Sequence, residues 1–173
     1  MSTKFITRTA IILALTILFQ SIGRIIPLGQ MNQFVTGSLV NACLLIAAAS
    51  TGIWGGAAVS LLAPFGAILT GAAVPLPFAP FIAVGNFILV LMFIIFKKKH
   101  IFGIASGAVL KFGFLFAAIN LFVSILKMPS AKANLMIIAF SWPQLVTAVI
   151  GGAIAMLVMK ALGKALEKDN AHA

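Results

Sequence analysis

The strongest candidate for a functional residue is Lys111, which lies in the long apolar stretch from Ile101 to Leu126. On an α-helix, its position in that stretch puts it about 16 Å from the helix start, near the middle of a bilayer. A lysine at that depth costs about 2.5–3.5 kcal/mol on insertion scales, and such residues commonly serve a function. The alternative is a lysine whose side chain snorkels to the interface. No acidic side chain precedes Glu167, so a bound anion is the natural counter-charge for a functional Lys111.

Amide side chains occur at comparable depth in the other apolar stretches. Asn41, Asn86, Asn120 and Gln144 all lie inside such stretches, and the last three fall in the external half of the topology derived below. Each alone is explained by interhelical hydrogen bonds worth about 0.6 kcal/mol. Together, Asn86, Asn120 and Gln144 predict a pocket at the external ends of three helices. Lys111 and Asn120 lie about 180° apart on a regular helix, so they share one pocket only if that helix bends.

Trp142, next to Pro143, has two interpretations of equal weight. It is either an anchor in the aromatic belt at the membrane interface or a pocket wall that stacks on a ligand. The sequence leaves both open.

This chain lacks the residues that most enzymatic chemistry requires. Residues 1–166 contain no carboxylate side chain, the histidines are His100 and His172, and Cys43 is the single cysteine. A metal site or a hydrolase triad needs clusters that these residues do not provide, and there is no phosphate loop of the GxxxxGK type. We therefore expect no enzyme activity, no metal and no cofactor, and any uphill transport should draw its energy from another protein.

The composition is that of an integral membrane protein. The 173 residues are 62% hydrophobic and 8% charged, with a mean hydropathy of +1.21, whereas soluble domains carry about 25% charged residues. The net charge of +10 could suggest nucleic acid, but the basic residues flank apolar stretches. That placement follows the positive-inside rule, so we expect a lipid bilayer and no nucleic acid as partner.

The apolar stretches predict an all-α integral membrane protein with six transmembrane helices in a single domain. Residues 25–96 form a run of 72 residues without a charge or a histidine, enough for three crossings of about 20 residues each. A short turn at Ser50–Gly52 and an apolar loop at 71–80 with three prolines divide this run, and we expect that loop to fold back over the bundle. Residues 127–140 are expected to be a loop and a short apolar approach segment. The predicted spans are 7–26, 34–49, 53–71, 81–96, 101–126 and 143–162.

The basic residues set the expected orientation. An even number of spans puts both termini on one side. That side holds eight basic residues, and the opposite side holds three, Arg24, Lys127 and Lys132. Both termini are therefore predicted to be cytoplasmic.

The chain resembles the S component of energy-coupling factor (ECF) transporters, which is their substrate-binding membrane subunit. Three sequence features carry the resemblance. They are the small-residue pair Ala10 and Ala14 in the first helix, the proline-rich run Pro75 to Pro80, and the group from Trp142 to Gln144. The resemblance implies that Ala10 and Ala14 dock on a T subunit, which connects to two cytoplasmic ATPases. Without it, the pair would be read as ordinary helix packing.

The resemblance also implies a substrate site near the external face. It is formed by the first and third loops and by the fourth to sixth predicted spans, 81–96, 101–126 and 143–162. The resemblance brings Gln33 of the first loop into the site with Lys111, Asn86, Asn120, Trp142 and Gln144, and it makes loop 71–80 a lid that carries Pro75, Pro77 and Phe78. The implied function is high-affinity binding of a vitamin or vitamin precursor, neutral or anionic, in a bacterial cell membrane. The alternatives are a stand-alone facilitator or channel, which would give flux by itself, and a structural or assembly subunit, which would bind no ligand.

Overall fold

The regular structure of the described residues is helical throughout. The computed structural model describes residues 3–26, 29, 31–71 and 75–171, without the side chains of 23–25 and 164–171. A single 3₁₀ turn at Leu76–Phe78 precedes the third α-helix. The α-helices are α1 (Thr3–Ile25), α2 (Met31–Leu69), α3 (Ala79–Ile95), α4 (His100–Ile125), α5 (Ser130–Ala139) and α6 (Trp142–Ala171). Five of the described segments are long and apolar enough to cross a membrane: α1 to α4, and the stretch Ser130–Gly163 that contains α5 and most of α6.

The long helix α2 is broken at Gly52, where φ is 73° and ψ is −165°. Positive φ is a conformation that glycine adopts without the steric cost of a Cβ. A Cβ on Gly56 would lie 3.2 Å from the Cα of Ala48, whereas eight residues of straight helix would separate the two by about 12 Å. The backbone therefore turns back on itself here and gives two antiparallel halves, α2a (31–51) and α2b (53–69).

The segment 130–139 is a helix, which differs from the loop and apolar approach segment expected there. Pro129 has φ −54° and ψ 138°, an extended conformation that ends the preceding turn just before α5 begins at Ser130. Alanine, lysine, leucine and methionine then favour helix, and Ala133 and Met136 are buried. The buried pair supplies the tertiary contact that a ten-residue helix needs to be stable.

Glycines allow the central helices to approach closely. A Cβ on Gly107 of α4 would lie 3.2 Å from the Cα of Leu89 in α3, and one on Gly151 of α6 would lie 2.6 Å from the carbonyl oxygen of Ser38 in α2a. Such contacts between backbones are typical of helix packing in membranes, where small residues line the interface. They bring α2a, α3, α4 and α6 together around one centre, while α1 packs at the edge with few buried side chains.

Candidate functional site

Lys111 lies at the centre of this packing, with its ammonium group inside the bundle. Its side chain is 2% exposed, and Nζ donates hydrogen bonds to Asn41 Oδ1 at 2.6 Å and to Asn86 Oδ1 at 2.8 Å. Asn41 Nδ2 in turn donates to Thr147 Oγ1 at 3.3 Å. One lysine thereby joins α2a, α3, α4 and α6, and its side chain does not extend to an interface.

Two buried serines occupy the same level of the bundle. Ser38 is one turn before Asn41 on the same helix. Gly56 contacts Val90 across the antiparallel pair α2b and α3. Ser60 follows Gly56 by four residues and Asn86 precedes Val90 by four, so Ser60 and Asn86 lie at the same level of the pair. Among the residues that the structure describes, the side-chain oxygens of Ser38 and Ser60 find no hydrogen-bond partner. We call the resulting set the polar layer: Ser38, Asn41, Ser60, Asn86, Lys111 and Thr147.

The polar layer contains six of the seven buried polar or charged residues that the structure describes, the seventh being Thr16 of α1. Burying a polar group costs free energy unless it is hydrogen-bonded, and burying a charge costs more. Concentrating these groups at one level of an otherwise apolar bundle is what a polar ligand would require.

A second set of contacts, the outer layer, joins α2a to the junction of α5 and α6. The side-chain amides of Gln33 and Gln144 both donate to the carbonyl oxygen of Ala139, Gln144 at 3.2 Å. Beside them, the rings of Phe34 and Trp142 lie 5.5 Å apart, and Trp142 is still 55% exposed. Gln33, Trp142 and Gln144 are thus neighbours, as a shared site requires, and Trp142 fits both a pocket wall and an interface anchor.

The outer layer and the polar layer are connected through α6. Thr147, one turn after Gln144, donates from Oγ1 to the Gln144 carbonyl oxygen at 3.2 Å and accepts from Asn41. Gly37 faces Thr147 so closely that a Cβ there would lie 2.9 Å from Thr147 Cγ2. A polar track therefore runs along the α2a–α6 contact, from Gln33 and Gln144 to Lys111.

Asn120 is not brought to the other predicted site residues. Its side chain is exposed and donates to the carbonyl oxygen of Phe116 in its own helix at 2.7 Å. The nine positions between Lys111 and Asn120 turn a regular helix through about two and a half turns, which puts the two side chains on opposite faces.

The predicted lid is attached to the bundle at Phe78. Phe78 is fully buried and its ring lies 4.8 to 5.5 Å from those of Phe81, Phe122 and Phe140. Pro75 is partly buried and Pro77 is exposed, while residues 72–74 of the predicted lid lie outside the described residues. The proline-rich run thus folds back onto the bundle through one aromatic anchor.

Ala10 and Ala14 lie on an exposed face of α1. Ile11 and Leu18 on the same helix are exposed as well. Neither alanine is buried between helices of this chain, so their spacing does not serve close internal packing.

Sequence reasoning left Ser38 and Ser60 out of the site. Serine is common in apolar helices, and no pattern in the chain distinguishes a serine that faces the core from one that faces lipid. Their position follows only from the antiparallel register of α2a, α2b and α3, which the sequence does not give residue by residue.

The fold and the polar layer define a helical membrane protein with a buried cationic centre, and the described residues form no group of three that could hold a metal ion. A family model described as the ECF transporter, substrate-specific component, matches residues 4–163, nearly the whole chain. The chain therefore belongs to the S components of ECF transporters, which are multi-pass transporter subunits of the cell membrane and not enzymes. Searches of curated proteins and of solved structures returned no match.

Proposed function

We propose that this chain is the high-affinity substrate-binding subunit of an ECF importer for a vitamin or vitamin precursor, neutral or anionic. Membership of the S-component family supports the role. The observation that carries the binding proposal is the ammonium of Lys111, which is buried at the centre of the bundle and bound by two neutral amide oxygens. A protein without catalytic groups gains from such a costly arrangement if a ligand uses it.

The proposed site has an inner and an outer part. Lys111 and Asn86 form the inner part, together with Asn41 and Thr147, and Gln33, Trp142 and Gln144 form the outer part. The loop with Pro75, Pro77 and Phe78 is the proposed lid, fixed at its Phe78 end. Asn120 is left out because it faces away.

The proposed topology has six spans in one domain, with both termini cytoplasmic. As one straight helix, the 39 residues of α2 would measure about 58 Å, nearly twice the hydrocarbon thickness of a bilayer. The reversal at Gly52 supports two crossings in its place. The excess of basic residues on the side of the termini supports the orientation.

The proposed partners are a T subunit and two cytoplasmic ATPases that supply the energy. The exposed alanines of α1 support a docking face, because small side chains let a second helix come close. The bilayer contributes no drive for two apolar faces to associate, so close contact is what stabilises such an interface.

The function is tested by purifying the tagged chain from its native membranes in mild detergent and identifying the proteins that accompany it. A T subunit and ATPases are expected in the complex. In a parallel experiment, liposomes that contain the chain alone should take up none of a panel of radiolabelled vitamins. Flux through the chain alone, without ATPases, would instead support a stand-alone facilitator.

A further inference from the structure

We propose that the substrate is a carboxylic acid whose carboxylate binds Lys111 within the polar layer. This inference rests on the proposed function, and it narrows the ligand from neutral or anionic to one chemical class. The centre of the bundle carries an unbalanced positive charge.

The ammonium of Lys111 has hydrogen-bond partners but no counter-charge. Both of its bonds go to neutral amide oxygens, whereas an ammonium group has three donors. The only carboxylate side chains in the sequence are Glu167 and Asp169. Along α6, Glu167 lies about 30 Å beyond Thr147, so neither acid reaches the layer. A ligand anion is therefore the available counter-charge.

The donors of the polar layer suit a carboxylate. A carboxylate carries one negative charge and accepts at about four lone-pair positions on its two oxygens. The polar layer offers one positive charge, the amide NH₂ of Asn86, and the hydroxyls of Ser38 and Ser60, which have no partner among the described residues. The Asn41 amide has a second N–H besides the one that it donates to Thr147 Oγ1. The single positive charge of Lys111 matches the single negative charge of a carboxylate. Neutral donors of the polar layer are available for the remaining lone-pair positions of its oxygens.

A phosphate or sulfate ester fits this layer less well. Sites for those anions use several cations, a bidentate arginine or a helix N-terminus. Lys111 is the only charged residue among the buried residues that the structure describes, and it lies in the interior of α4. A doubly charged anion would leave excess negative charge in an apolar bundle.

The polar track indicates which end of the substrate enters first. Gln33 and Asn41 are eight residues apart, so Gln33 lies about 12 Å from Asn41 along α2a. Gly37 and Thr147 close the track between them. Entry therefore requires Gln33 and Gln144 to release the Ala139 carbonyl oxygen and α6 to move away from α2a at the contact between Gly37 and Thr147. The carboxylate then reaches Lys111 while the rest of the substrate stays beside Phe34 and Trp142.

The test compares matched acids and neutral analogues on the purified, ligand-stripped chain. The probes are nicotinate with nicotinamide, biotin with biotin amide, and pantothenate with panthenol, screened by thermal unfolding and then measured by calorimetry. At least one acid should bind, and its neutral partner should bind at least tenfold more weakly. Equal affinity within every pair, or no binding of any acid, would overturn the proposal.

Substitutions link the preference to Lys111. Lys111→Met should reduce the acid-to-neutral preference at least tenfold, whereas Lys132→Met, the same change at an exposed lysine of α5, should leave it unaltered. If the methionine variant does not fold, Lys111→Gln serves the same purpose, and the wild-type comparison stands without either. An undiminished preference in a folded variant would remove Lys111 from the proposal. Copurification of a T subunit would be unaffected by that outcome, so the two proposals fail separately.

Discussion

At the scale of single residues, the centre of the bundle depends on the hydrogen bonds that the buried ammonium of Lys111 makes. The amide oxygens of Asn41 and Asn86 replace water around its ammonium group, and Thr147 orients one of those amides. Removing one partner of a buried charged group leaves the other unsatisfied, which costs more than replacing both by apolar groups. Lys111 and its amides should therefore behave as one energetic unit.

The variant Asn86→Leu should lower the stability of the ligand-free protein. It leaves the ammonium with one of its two amide partners, and we expect a loss of about 1–3 kcal/mol. The measurement is thermal unfolding in detergent. The double variant Asn86→Leu with Lys111→Met should recover part of the loss, because no unpaired charge remains. Simple addition of the two single effects would contradict this coupling.

The sequence predicted the residue types of the site better than their arrangement. Lys111 and the buried amides were visible because each is costly in an apolar helix. The pairing of Lys111 with Asn41 was not visible in the sequence, because a residue of α2 meets a residue of α4 only through the tertiary packing. Asn120 was included for its depth, although its angular position puts it on the opposite face.

At the scale of helices, contacts between glycine and backbone fix the position of the polar layer. Gly151 holds α6 against α2a, beside Asn41 and the carbonyl of Ser38. Gly107 does the same between α4 and α3. These contacts set the register that brings Lys111 within reach of two amides on other helices.

Gly151→Ala and Gly113→Ala should have opposite effects on stability. The first introduces a Cβ at 2.6 Å from a backbone oxygen, and such overpacking costs about 1–3 kcal/mol. Gly113 has no atom within 4 Å of its Cβ position, so alanine there should gain up to about 1 kcal/mol from helix propensity. Thermal unfolding of both variants tests this, and equal effects would mean that the close α2a–α6 contact does not hold.

The helices themselves illustrate what a hydropathy pattern can supply. The pattern predicted an all-helical membrane protein, which is confirmed, and it placed a turn at Ser50–Gly52, where Gly52 has positive φ. The pattern missed α5, because ten residues are too few for helical periodicity to distinguish a helix from an apolar approach segment. The burial of Ala133 and Met136 that stabilises α5 depends on the rest of the bundle.

At the scale of the whole molecule, the helices divide into a central group and the peripheral helix α1. Peripheral α1 presents Ala10 and Ala14 outward, while α2a, α3, α4 and α6 converge on Lys111. This division suits a subunit that binds its ligand internally and its partner along one edge.

Ala10→Trp and Ala14→Trp should each reduce copurification of the T subunit strongly, because a bulky ring prevents close approach of a second helix. Val109→Trp on the exposed face of α4 is the control, since it adds the same bulk elsewhere. Ligand binding should be unchanged in all three. Full copurification with both alanine variants would exclude this docking face.

The orientation predicts opposite labelling of two exposed lysine positions. In a Cys43→Ala background, Lys98→Cys should react with a membrane-impermeant maleimide only after the membrane is opened, and Lys132→Cys should react in intact cells. The reason is that the α3–α4 turn is assigned to the cytoplasmic side and α5 to the external side. Labelling of both positions in intact cells would contradict the six-span topology.

The most direct test of a substrate site at Lys111 is mass spectrometry of the small molecule released when the purified chain is denatured. The wild-type protein, purified without ATP, should release one compound in near-stoichiometric amount, and Lys111→Met should release at least tenfold less while Lys132→Met releases as much as wild type. Release of equal amounts by wild type and a folded Lys111→Met, or of no compound by any of them, would contradict a substrate site built around Lys111.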